Sequence, residues 1–276
     1  MSEKFHRIPS PGALRNVNRI WDYYLEPFRI APHVYSVGGN NDVAIYLLDS
    51  GDGLILIDTG MAEILYLVID SIHRLGYDPR DIKKILISHG HGDHYNGARF
   101  LQEMSGAKIY MSDIDYQFMK DHPIDMPWIE TPFEVDEYFD DNTTIDLGRF
   151  SIRTMLTPGH TPGTTSFFFD DTDEEDNKTY HVAMHGGVGA DMMRKDYLAK
   201  LGLSEEYAHR FISDCEKLKS REIDICLPSH LNQINLVANI PEDKTDYHNF
   251  VDQTAWPDLL QERIDVIKGF YPEIYG

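Results

Sequence analysis

The stretch Ile87-Ser88-His89-Gly90-His91-Gly92-Asp93-His94 places three imidazoles and one carboxylate within six consecutive positions, directly after a hydrophobic run that predicts a buried strand. Imidazole and carboxylate are side chains that hold divalent metals, and a spacing this tight cannot wrap all four donors around one tetrahedral ion without strain. Two neighbouring ions are what the spacing favours.

The surroundings of the cluster read as alternating strands and helices. Residues 84–88 predict a strand, and Asp93 stands where an N-cap would open a helix running to about Met104, so the cluster sits on a strand-to-helix loop, a connection that commonly carries function. Upstream, short apolar runs at 33–38, 43–49 and 54–57 read as successive strands, the last ending in Asp58-Thr59-Gly60. Residues 63–75 carry apolar side chains at three- and four-residue spacing and stop at Gly76, the pattern of an amphipathic helix with a glycine terminator. Downstream come a strand at 108–111, a helix near 113–120, and a Pro- and acid-rich loop to about 141 that can border a pocket. Strands follow at 150–156, 164–169 and 180–184, with an acidic hairpin tip at 170–177, then a helix at 205–219, a last buried strand at 223–227 and a C-terminal helix at 253–268. The order predicts an α/β protein with two sheets and helices on their outer faces, in a single domain. Residues 1–29 form an arm packing on the core, 30–239 the core itself, and 240–276 a linker and helix of the same domain.

Composition narrows the function. The formal net charge of −21 over 276 residues repels phosphate backbones and anionic membrane faces, which excludes nucleic acid as a partner. No segment is apolar for long enough to span a bilayer, and the polar start lacks a signal-peptide core, so a cytoplasmic enzyme acting on a small-molecule substrate is expected. Cys215 and Cys226 lack a CxxC spacing and read as reduced, structural thiols. The oligomeric state stays open: the aromatic arm and the C-terminal helix, with Trp256, Phe270 and Tyr271, can serve as contact surfaces for a homo-oligomer or close over the core.

Two further histidines sit at predicted strand ends: His160 within Thr157-Pro158-Gly159-His160-Thr161-Pro162-Gly163, and His230 after Leu227-Pro228-Ser229. Alone, either is more often a capped or solvent-facing side chain than a ligand. Together with the first cluster they give five imidazoles and a carboxylate, enough for three ligands to each of two ions. Asp58 and Asp93 also have ordinary readings, as a turn residue and a helix cap.

In order and approximate spacing, Asp58-Thr59-Gly60, the His-x-His-x-Asp-His loop, Gly-His-Thr-Pro-Gly and the terminal histidine make residues 27–232 resemble the metallo-β-lactamase superfamily. The resemblance implies a four-layer αβ/βα sandwich, with His89, His91 and His160 on one metal and Asp93, His94 and His230 on the second. Asp58 would lie behind them and orient the ligand loop. Where many superfamily members place a bridging aspartate, and some lactamases a cysteine, this chain continues from Met184 into His185-Gly186-Gly187. An Asp-His-His second site without either is similar to the third subclass of metallo-β-lactamases. The resemblance thus implies a dinuclear zinc hydrolase, a hydroxide held by the metals attacking a lactam or a related amide, ester or lactone carbonyl, with Asp93 relaying its proton. Asn232 and Gln233 are candidate substrate contacts. His185 is a further one, though a pocket-wall or core role suits it better. An iron-dependent oxidoreductase and a non-catalytic metal-binding protein on the same scaffold are the alternatives.

Overall fold

The computed structural model describes residues 19–122 and 131–276. Residues 1–18 of the arm and 123–130 of the Pro- and acid-rich loop lie outside the described residues.

The strands are β1 (Phe28–Ala31), β2 (Val34–Ser36), β3 (Tyr46–Asp49), β4 (Leu54–Ile57), β5 (Ile82–Leu86), β6 (Lys108–Met111), β7 (Glu137–Tyr138), β8 (Thr144–Leu147), β9 (Phe150–Leu156), β10 (Thr165–Asp173), β11 (Lys178–Met184) and β12 (Ile225–Leu227). The helices are α1 (Leu65–Arg74), α2 (Gly92–Tyr95), α3 (Ala98–Ser105), α4 (Asp113–Asp121), α5 (Lys195–Lys200), α6 (Glu206–Leu218), α7 (Ala255–Gly269) and α8 (Pro272–Tyr275). The first sheet has the order β1-β2-β3-β4-β5-β6-β7, antiparallel up to β4 and parallel beyond it. The second has the order β12-β11-β10-β9-β8, antiparallel except where β12 joins β11.

Apolar side chains on alternate strand positions separate the layers. Tyr46, Leu48, Ile55 and Ile57 of the first sheet meet Phe150, Ile152, Phe167 and Phe169 of the second in one core. On the far face of the first sheet, Leu47, Leu54, Leu56 and Ile85 pack against Val68 and Ile72 of α1 and Leu101 of α3. On the far face of the second, Phe168, Ala183 and Cys226 pack against Phe211 and Cys215 of α6 and Trp256 and Leu260 of α7. The result is the expected helix–sheet–sheet–helix sandwich. Trp256 and Tyr271 are fully buried in this last cluster, so the C-terminal element closes over the chain's own core.

Four local expectations change. Strand β1 begins at Phe28, inside the stretch assigned to the arm, and pairs with β2. Asp93 is not a cap: α2 starts from His91 with no side-chain cap, and Asp93 lies in its first turn. The helix expected to run on to Met104 also breaks at Gly97, where the backbone passes so close to Thr59 that a Cβ would lie 2.7 Å from its carbonyl oxygen. The hairpin of β10 and β11 stays paired to Asp173↔Lys178, so its tip is shorter than the sequence pattern predicts.

Candidate metal centre

Strand ends bring the six expected donors together. His89, His91 and His160 form one set and Asp93, His94 and His230 another, and within each set the ligand atoms lie within 4.8 Å of one another. The loop after β5 supplies four of these residues, the turn between β9 and β10 supplies His160, and the segment after β12 supplies His230. That last segment is held by an isolated bridge between Val43 and His230, with Leu231 N donating to Asp42 O at 2.7 Å.

Four of the five imidazoles are turned by a partner on the outer side. His94 Nδ1 donates to Asp58 Oδ2 at 2.8 Å, His230 Nδ1 to Asp42 Oδ1 at 2.9 Å and His160 Nδ1 to the Gly189 carbonyl at 3.0 Å. Ser88 Oγ spends its proton on Asp58 Oδ2 at 2.8 Å, so at its 3.0 Å contact with His89 Nδ1 the ring is the donor. Four Nε2 atoms therefore carry bare lone pairs. In the neutral tautomers that these partners select, His94 Nε2 and His230 Nε2 face each other at 3.2 Å as two lone pairs. His91 Nδ1 sits 3.0 Å from His89 Nε2 and 2.9 Å from His160 Nε2, and carries at most one proton to share between the two. Opposed lone pairs in both sets fit a cation at each, and mixed imidazole and carboxylate donors suit zinc. Burial pushes His89 well below the usual imidazole range and His160 down to about 4, so their lone pairs are free near neutral pH. At His94 burial acts the same way, but Asp93 and Asp58 outweigh it and raise its proton affinity.

The supporting frame has parts with no sequence signal of their own. Asp58 adopts a left-handed backbone (φ 60°) that non-glycine residues rarely take, and its fully buried carboxylate also accepts from Ser88 N at 2.8 Å. Asp115, buried near the start of α4, accepts from Gly90 N at 2.7 Å, Thr161 Oγ1 at 2.6 Å and Gly163 N at 2.6 Å, tying the loop of His89 to the turn of His160. Neither Asp42 nor Asp115 stands in a motif. Gly187 and Gly189 press on the His160 ring, where a Cβ would come within 2.5 and 2.6 Å of ring carbons.

The remaining sequence candidates fall at different distances from the cluster. His185 is buried; its Nδ1 accepts from Gly187 N at 3.3 Å, its Nε2 lies 4.0 Å from Cys215 Sγ, and it stands in neither donor set. Asn232 Nδ2 donates to Asp42 Oδ1 at 3.3 Å, and Gln233 Oε1 accepts from Ser229 Oγ at 3.1 Å. Both line an open trough of about 530 Å³ with Asn41, Leu231, Ile234 and Asn235. Tyr95 packs in the first helical layer, and Asn96 Oδ1 accepts from Thr131 N at 3.0 Å.

The model of the metallo-beta-lactamase superfamily matches residues 38–173, the part of the sandwich that holds five of the six donors. Among solved structures, native FEZ-1 metallo-beta-lactamase from Legionella gormanii is 28% identical, with a TM-score of 0.79 over 91% of this chain and 96% of that one. The metallo-beta-lactamase GOB-18 from Elizabethkingia meningoseptica is 24% identical, with a TM-score of 0.80 over 99% of both, a likeness of fold. BJP-1 of Bradyrhizobium japonicum, a subclass B3 metallo-beta-lactamase, has the same TM-score at 22% identity, over 92% of this chain and 97% of that one. The probable polyketide biosynthesis zinc-dependent hydrolase BaeB of Bacillus velezensis is 33% identical over 104 residues, 38% of this chain. The N-acyl homoserine lactonase AttM of Agrobacterium fabrum is 32% identical over 111 residues, 36% of this chain. The chain spans 40% of the length of each of these last two proteins.

Proposed function

We propose that the chain is a dinuclear zinc hydrolase that opens a lactam or a related amide, ester or lactone carbonyl of a small molecule. The observation that carries this reading is the opposition of ring-nitrogen lone pairs within both donor sets. Zinc held there supplies Lewis acidity, polarising a carbonyl oxygen and lowering the pKa of water toward neutrality. Asp93, part-exposed, keeps Oδ2 3.8 Å from His94 Nε2 and 3.7 Å from His230 Nε2, where it orients the attacking water, takes its proton and returns it to the departing group. Asp58, Asp42 and the Gly189 carbonyl hold the imidazoles in the tautomer that leaves Nε2 bare.

The trough lined by Gln233 offers carboxamides and one carboxylate, Glu262, and no lysine or arginine among the described residues. That chemistry favours a neutral hydrogen-bonding group beside the scissile carbonyl over an anionic one. The iron-dependent oxidoreductase reading is disfavoured by the missing bridging aspartate, since the chain continues from Met184 into His185-Gly186-Gly187.

Elemental analysis run beside a panel of a chromogenic cephalosporin, a lactone and a thioester tests the proposal. About two zinc ions per chain are expected, with turnover lost in Asp93→Asn and His160→Ala. Turnover by metal-free protein, or iron with oxygen consumption, would overturn it; zinc binding without turnover of any panel member would favour the non-catalytic reading.

A further inference from the structure

The helix-covered side of the second sheet carries a cluster that the metal centre does not use. Arg153 on β9 lies opposite Phe168 on β10, and Arg221, in the turn after α6, sets its guanidinium over the Phe168 ring, 4.1 Å from the centroid. Arg221 Nη2 finds a thioether, Met155 Sδ at 3.8 Å, and neither arginine has an ion-pair partner among the described residues. This is unusual in a chain with 46 acidic and 25 basic residues, where guanidinium groups meet carboxylates far more often than each other. The nearby acids are engaged elsewhere. Asp170 accepts from His181 Nδ1 at 2.7 Å, and Asp224 accepts from His181 N and Gln253 Nε2, each at 2.8 Å. Glu222 acts on His181, raising its proton affinity behind Asp170 and Asp224, and leaves Arg221 uncompensated.

These groups border a surface cavity of about 280 Å³, lined by Arg153, Phe168, Asp170, His181, Arg221 and Glu222 among others. Both side chains are solvent-exposed and line the same cavity, where partial desolvation and the charge of Arg153 lower the proton affinity of Arg221. An anion between the two relieves their repulsion. The planar guanidinium fork matches the paired oxygens of a carboxylate or a phosphoryl group. We propose that Arg153 and Arg221 form a binding site for an oxyanion, the phosphoryl or carboxylate group of a small ligand, separate from the metal ligands. The surface field of the chain repels free anions, so selectivity comes from the local pair and binding weakens as salt screens it.

The test uses zinc-loaded protein titrated with phenyl phosphate or with glutarate, following the ring resonances of His181, which reports this cavity and not the metal centre. Saturable shifts are expected, with at least about tenfold weaker binding in Arg153→Gln and in Arg221→Gln. Turnover of the hydrolase panel should stay at the wild-type level in both variants. A response to phenyl phosphate alone assigns a phosphoryl ligand, and to glutarate alone a carboxylate. The glutamine replacements keep the apolar stems, and a melting temperature no lower than wild type verifies their fold. Absence of a His181 response to both probes, or equal binding by the folded variants, overturns the site.

Discussion

At the scale of single residues, the centre depends on carboxylates that stand outside the donor sets. Asp115 joins two ligand-bearing loops through three hydrogen bonds, and removing its side chain leaves Gly90 N, Thr161 Oγ1 and Gly163 N buried without those partners. At roughly 1–3 kcal/mol for each stranded donor, Asp115→Ala is expected to destabilise the fold by about 3–5 kcal/mol, with Asp115→Asn falling between it and wild type. Chemical denaturation read beside zinc content checks this. A structure that merely tolerates Asp115 would keep both quantities unchanged. Asp115 and Asp42 could not be read from the sequence because their partners are distant along the chain: 25 to 48 residues for Asp115 and 188 for the ring of His230. The six residues that the structure brings together stood out in the sequence because four crowd one loop and the other two follow strand-ending Pro and Gly motifs.

At the scale of elements, strands and helices were legible wherever apolar spacing was regular, as in α1, β6 and α6. They were not where a contact decides. β1 lies in an aromatic, charged stretch that becomes a strand by pairing with β2, and the helix after the cluster breaks because Gly97 must pass against Thr59. The segment after β11 follows the same logic. His185 anchors it against Cys215 and Phe211 of α6, while Gly187 and Gly189 close on His160 from the other side. An added methyl at Gly187 would sit 2.5 Å from His160 Cδ2, so the ring must turn away from its set. Gly187→Ala should therefore weaken metal binding about 10–100-fold, the usual scale for disturbing a ligand's support. Gly269→Ala, at a position with nothing within 4 Å, should leave affinity unchanged. Equal zinc affinity in the two variants, measured by competition with a chromophoric chelator, would show that the segment does not position His160.

For the whole molecule, the two donor sets lie where strand ends of both sheets converge, so metal binding and sheet-on-sheet packing are coupled. The loop after β5 belongs to the first sheet, while His160 and His230 follow strands of the second. Without cations, lone pairs of the two halves oppose one another at His94–His230, and His91 Nδ1 has at most one proton for its contacts with His89 and His160, so the sheets' rims are pushed apart. With cations the same atoms attract a shared charge across the seam. Metal bound to the folded chain but not to the unfolded one adds about 2.7 kcal/mol when free metal is a hundred times its dissociation constant. For a chain of this size that is a rise in melting temperature of about 5–10 °C per ion. Stripping the protein with dipicolinate should lower the melting temperature by at least this much, and added zinc should restore it. His230→Ala keeps the first set whole, removes one ligand of the second and relieves the repulsion at His94. Its metal-free form should therefore melt no lower than metal-free wild type, while its gain on adding zinc is cut to roughly that of one ion. If wild type and His230→Ala gained equally from zinc, the rim histidines would not be clamping the sheets together.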